Sequence, residues 1–291
     1  MTLLSEISEI SEIIAYHFSL LQFYFASLGI LINTLHLITL SQKSMRANAI
    51  NVLLIGIAIS DILFLIYSVH SHILNILRAQ DDDRCVTPYT WSQCLQRWIL
   101  LYANDTCRRT STWLAVIMAL IRAIVMRYNT NERVRWLLKP STSISLILSV
   151  TLISFLVSSI NWGRMQIFRY TDWIPPEGCH MHPSNSSYFE LNYNEFLVPY
   201  HEQITHAHLL IDGVLRTITP LLHPFLAGIL IFELRKATKH RNGLKSDKSD
   251  KDSDNTSKIV IRMTMSYVLV ETPIGLANLS LLEYIESMDL W

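Results

Sequence analysis

The chain carries apolar runs too long for a soluble core to bury. Crossing about 30 Å of hydrocarbon takes about 20 helical residues. Phe18 to Leu40 has no charged residue, and neither does Pro140 to Gly163. Ala47 to Leu77 holds one, Asp61. Leu209 to Phe232 holds Asp212 and Arg216 near one end, and Ile259 to Leu282 holds Arg262 and Glu271. A sixth segment, from about Trp98 to Met126, is interrupted by Asp105, Arg108, Arg109 and Arg122. It is accepted as a span because its centre is strongly apolar and a helix bundle shelters polar groups that lipid cannot. Only 16% of the 291 residues are charged, against about 25% in soluble domains. The expected fold is an all-α, polytopic membrane helix bundle with spans at about 18–40, 47–77, 98–126, 140–163, 209–232 and 259–282.

Lys and Arg in short loops set the orientation of such a bundle. Lys43 and Arg46 follow the first span, and Arg127, Arg133, Arg135 and Lys139 follow the third. The loop after the fifth holds Arg235, Lys236, Lys239, Arg241, Lys245, Lys248, Lys251 and Lys258. The other side has Arg78, Arg84, Arg97, Arg164 and Arg169, with the run Asp81 to Asp83. Residues 1–17 are therefore expected outside, in a multi-pass protein of the plasma membrane in contact with its lipid. Residues 239–258 read as a flexible cytoplasmic loop, too polar to bury a core. Lys plus Arg balances Asp plus Glu at 24 each, so nucleic acid is not an expected partner. No HExxH pair, Walker loop or GxSxG occurs, which leaves an enzyme without a motif and names no cofactor.

Polar residues at membrane depth mark packing or function. Asn33 and Asp61 fall in the middle of the first two spans, either satisfying each other or forming an ion or proton site. On the third span, Asn104, Arg108, Ser111, Ala115, Met118 and Arg122 share one face at about 100° per residue. Such a stripe must line the bundle interior, with Arg108 in an outward cavity. Arg122 lies at the inner mouth, or snorkels to lipid phosphates. A receptor fits these features, and so does a transporter, although no internal repeat of the transporter kind is present. Four sites match Asn-X-Ser/Thr, and Asn185, in the long outer loop, is the credible glycosylation acceptor.

GILIN with Asn33, IAISD with Asp61, and CRRTSTWLAVIMALIR from Cys107 to Arg122 resemble the seven-helix G-protein-coupled receptors. LIFELRKATK at the end of the fifth span and TSKIVIRMTMSYVLVETPIG opening the sixth fit the same pattern. More narrowly, the chain is similar to the nematode serpentine receptors of class W, relatives of FMRFamide-type and myosuppressin-type peptide receptors, from about Phe18 to about Leu282. The resemblance implies a receptor passing an extracellular signal, most simply a peptide, to a heterotrimeric G protein. A small non-peptide cue is the alternative. It also implies a polar network at Asn33 and Asp61 of the kind that binds sodium, an arginine at Arg122 that reaches the G protein, and a kink at Pro273.

Candidate ligand-binding residues are Asn104, Arg108, Arg109 and Ser111. The acidic outer residues point to a cationic peptide, and Arg108 and Arg109 are placed to donate to its carbonyls or to a C-terminal amide oxygen. An outer disulfide is expected from the third span to the long loop, where Cys179 stands; Cys94 lies nearer the span than Cys85, which remains the alternative. The chain departs from the family pattern at Ile121, which stands where an acidic residue usually precedes the arginine, at Ala123 after it, and at Glu271 near Pro273. After Leu282 only residues 283–291 follow, less than half a crossing. No seventh helix is legible, so the chain reads as a truncated product or an incomplete gene model.

Overall fold

A computed structural model describes residues 2–78, 88–128, 132–173 and 186–242. The sixth expected span, Pro273, Glu271, Cys85, Cys179, Asn185 and Asp81 to Asp83 lie outside these residues. Five helices in the described part are long and apolar enough to cross a membrane. They are α1 (Thr2–Leu40), α2 (Ala49–Arg78), α3 (Trp91–Arg127), α4 (Pro140–Trp162) and α5 (His201–Asn242).

Local chemistry places several of the ends. Thr90 caps α3: its hydroxyl accepts from the Gln93 amide, and the Gln93 side chain accepts from the Thr90 amide. Two of the helix's otherwise orphaned donors are thereby satisfied. Pro140 opens α4, where its missing N–H is no loss, and Gly163 follows the last turn. α1 begins at Thr2 rather than at Phe18, because a hydropathy count locates the apolar part of a helix and not its first turn. α5 runs through Pro220 and Pro224 and on to Asn242, so the expected flexible loop does not begin at Lys239.

The connection from α4 to α5 carries an element that the helical count did not foresee. β1 (Met165–Trp173) pairs antiparallel with β2 (Ser186–Tyr193), from Met165 opposite Tyr193 to Trp173 opposite Ser186, with an irregularity between Tyr170 and Trp173. Both segments are rich in aromatic residues, and β1 adds the β-branched Ile167 and Thr171, all of which suit a pleated ribbon. Tyr170 and Tyr188 stack across it with centroids 5.1 Å apart. The hairpin is tied to the start of α3 by the Phe189 amide, which donates to the Tyr89 carbonyl at 3.0 Å.

Toward the other end of the bundle the core is apolar. Leu53 of α2 and Leu114 and Ile121 of α3 are buried, with Ile57, Ile117, Met118, Ile147 and Val150 packed around them. Gly56 makes the approach of α4 possible: a Cβ there would meet Ile147 Cδ1 at 2.8 Å and Leu114 Cδ1 at 3.3 Å. Ser143 of α4 donates to the Ala49 carbonyl at 2.9 Å and closes the same corner.

Candidate functional site

The densest polar chemistry sits where α3, α4 and α5 meet on the hairpin side of the bundle. Asp105 and Arg109 are one turn apart on α3, and Asp212 and Arg216 one turn apart on α5, so each helix offers one acid and one base on a common face. Arg109 is the hub. Its Nη2 lies 3.2 Å from Asp105 Oδ2 and 2.6 Å from Asp212 Oδ1. Its Nη1 donates to Ser158 Oγ at 2.9 Å and to the Ser154 carbonyl at 3.2 Å. Ser158 in turn donates to Asp105 Oδ2 at 2.9 Å. Arg216 makes an ion contact through Nε with Asp212 and lies 3.8 Å from Asp105 through Nη2. Arg108 adds a single contact, 3.4 Å from Nη2 to Asp105 Oδ1.

Burial explains why so many partners converge. The side chains of Arg109 and Asp212 are 6% and 4% exposed, and an unpaired charge at such depth costs several kcal/mol. α4 contributes serines rather than bulk, with Ser154 and Ser158 almost fully buried. Their small side chains admit the guanidinium of Arg109 and satisfy it. Arg108 differs in exposure: its side chain is 25% exposed, and it shares the wall of a small cavity with Arg109, Asp212, Arg216, Trp113 and Leu215.

The expected site residues thus separate. Arg108 and Arg109 are neighbours in sequence and both reach the cavity wall, but Arg109 is held by the ion cluster at 6% exposure while Arg108 makes one long contact and is 25% exposed. Asn104 donates to the Phe64 carbonyl of α2 at 3.0 Å. Ser111 donates to Asp61 Oδ1 at 2.5 Å, which joins α2 to α3 below the cluster. Asn33 donates to the Gly29 carbonyl within its own helix, and no hydrogen bond joins it to Asp61. Among the described residues, Asp61 and Ser111 converge without Asn33. Asp61 of α2 is thus bonded to α3 rather than to Asn33, while α1 and α2 are linked elsewhere, by Ser19 with His72 and by Gln22, which donates to Ser68.

At the far end of α3, Arg122 is half-buried and makes no hydrogen bond or ion pair among the described residues. Ile121, in place of an acidic residue, is 3% exposed and belongs to the apolar core. Packing holds this end of α3 where an ion pair is absent from the sequence.

The hairpin side has its own anchor. Arg164, just past α4, bonds to Asn161 Oδ1 at 2.9 Å and Thr205 Oγ1 at 2.7 Å, and its guanidinium lies over the Tyr193 ring. Burial pulls its pKa below the ordinary arginine value, and the Tyr193 side chain opposes that shift. α4, α5 and β2 are joined at one point. Cys94 of α3 is buried, with its sulfur 3.3 Å from the Phe189 carbonyl of β2.

Asp105, Asp212 and Arg216 were not singled out from the sequence as site residues. A signal for them was present. Charges within spans need partners, and an acid and a base one turn apart on each of two helices are natural ones.

Five membrane-length helices around an ion-paired centre fit a polytopic membrane bundle, and the family comparison says which kind. The model of the serpentine type seven-transmembrane G-protein-coupled chemoreceptors, Srw, matches residues 20–290. This chain belongs to that family and is a G-protein-coupled receptor. Among curated proteins, none matches it.

Proposed function

We propose that this receptor answers an extracellular peptide and passes the signal to a heterotrimeric G protein at the opposite end of the bundle, without catalysing a reaction. One observation carries the peptide reading: an antiparallel hairpin lies beside the start of α3, above a cavity lined by Arg108. A two-stranded ribbon leaves backbone donors and acceptors along its edges, and an extended peptide can pair with such an edge. The acidic run at Asp81 to Asp83 would draw a positively charged peptide to the same mouth.

In this reading the hairpin end and the N-terminus face outward at the plasma membrane, with Asn185 glycosylated. A Cys94–Cys179 disulfide pins the loop, as the position of Cys94 against β2 supports. Asn104 and Ser111 hold α3 to α2 and tune the pocket rather than touching the peptide. Arg122 engages the G protein, and the sixth helix swings about Pro273, whose missing backbone donor favours a kink. A sodium ion, if bound, would rest on Asp61 and Ser111.

A second reading, a small non-peptide cue, is favoured by the chemoreceptor description of the family. The deciding experiment is a G-protein dissociation assay in cells expressing the full chain, run against a peptide panel and a small-molecule panel. Activation by a peptide, with loss of response in Arg108→Gln, supports the first reading. Activation by small molecules alone replaces it with the second.

A further inference from the structure

α1 is nearly twice as long as a bilayer requires. Its 39 residues extend about 58 Å, against about 30 Å of hydrocarbon. The part apolar enough to cross begins at His17, so the turns formed by residues 2–16 lie beyond the span. Within the span one face of α1 rests on α2, where Ser19 meets His72, Gln22 donates to Ser68, and Gly29 lets Leu65 approach. On the opposite face, Leu21, Tyr24, Leu28, Leu31 and Leu35 follow in alternating steps of three and four, each more than 50% exposed.

The same steps run on upstream through His17 and Ile14 to Ile10, Ile7 and Leu3. Inside a bilayer the pattern alone would mean little, since most positions there are apolar. Beyond the span it is selective. Ser5, Glu6, Ser8, Glu9, Ser11 and Glu12 take the intervening places, with Leu4 and Ile13 at the flanks of the stripe. Apolar residues recurring every 3.5 positions form a seam that suits a second helix. α2 leaves this seam open: it packs on the other face, and it ends at Arg78, less than two turns beyond His72.

We infer that the outer turns of α1 pair with the same turns of a second copy of this chain, as a parallel two-stranded coiled coil from Leu3 to Leu21. Membrane insertion gives every copy one orientation, so neighbouring α1 helices run parallel with identical positions at one level. A heptad stripe is then self-complementary across a two-fold axis. The charges permit it: Glu6 flanks the seam opposite the partner's Ser11, while Glu9 and Glu12 occupy positions off the seam. No like charges are brought together. The drive comes from the turns in water, where covering Ile7, Ile10 and Ile14 removes apolar area from solvent. Within the bilayer, lipid is as good a neighbour as another helix, and the stripe there adds little. The inference is independent of which ligand the receptor answers.

The test introduces cysteines along the outer turns of the full chain in cell membranes, followed by mild oxidation. A disulfide needs Cα atoms within about 7 Å, which seam positions of a two-stranded coil satisfy and positions off the seam do not. Ile10→Cys and Ile14→Cys are expected to give a covalent dimer on a denaturing gel. Ser8→Cys and Glu12→Cys are expected to give no more than the parent chain, which controls for the native cysteines. Equal dimer from all four variants would overturn the inference, as random collision, and so would dimer from none.

A second arm measures energy transfer between two differently labelled copies at matched surface density. Ile7→Glu combined with Ile10→Glu should weaken self-association about tenfold or more, while leucine at both positions should preserve it. Transfer that survives both glutamates would overturn the outer seam. If the glutamate variant does not reach the surface, the cysteine pattern still decides.

Discussion

α1 and α3 are of similar length, 39 and 37 residues, and they solve opposite problems. α1 turns large apolar side chains outward along its whole spanning part: Phe18 and Phe25 are 68% and 69% exposed, and Leu31, Ile32 and Leu35 are also turned out. Its polar groups are few, and several are satisfied within the helix, as Ser27, Thr34 and Thr39 show by bonding back one turn. α3 is studded with Asp105, Arg108, Arg109 and Arg122, yet it occupies the centre and contacts α2, α4 and α5. Lipid takes the apolar helix at the rim and drives the charged one to the middle, because only protein partners relieve a charge at that depth. In a membrane, the helix with the least membrane-like sequence is the one that organises the bundle.

That contrast yields a graded series of substitutions, each read as the thermal midpoint of the detergent-purified receptor and as surface expression. The largest effect is expected at Arg109. Arg109→Met leaves Asp105 and Asp212 buried without their shared cation, a loss of about 3–5 kcal/mol. A midpoint within experimental error of the parent would show that the cluster does not hold α3 to α5. Leu114→Ala comes next. This side chain is fully buried between α2 and α4, and the cavity left behind costs about 2–5 kcal/mol. Stability unchanged by this substitution would mean that the inner core is not packed as described.

Ser111→Ala is smaller, about 1–3 kcal/mol, because it removes the hydroxyl that donates to Asp61 and leaves the carboxylate short of a partner. A double-mutant cycle with Asp61→Asn should show coupling between the two positions, and strict additivity would deny the contact. The smallest effect belongs to α1. Leu35→Ala on its outward face is expected within about 0.5 kcal/mol of the parent, since a lipid-facing leucine exchanges one apolar neighbour for another. A loss comparable to Leu114→Ala would reveal a protein surface covering α1.

Much of the fold was legible before any coordinates. The apolar runs located α1, α2 and α4, because a chain in hydrocarbon must satisfy its backbone internally and helices do so. The two edges of α4 were readable from Pro140 and Gly163. The β1–β2 hairpin was not foreseen, although its residues have strand character, because attention to long helical periods passes over short alternating segments. Of the site, Arg108 and Arg109 were singled out together as ligand donors. Their separation into a partly exposed residue and an enclosed one depends on what stands opposite each, and Asp212 is 103 positions from Arg109. Ser111 was likewise read by its helix face, which does not reveal that Asp61 of α2 meets it there.

That this protein lies in a bilayer as a helical bundle, with its third helix inside, was readable from the order of residues alone. Both follow from the solvation of single residues, a local property that can be summed along a chain. Which charges pair was settled by the packing of the helices. Pairing depends on angles and distances between helices, and α4 supplies the space through Ser154 and Ser158, whose small side chains admit the buried guanidinium. Solvation placed the arginines inside, and packing enclosed Arg109 among its partners while leaving Arg108 partly exposed.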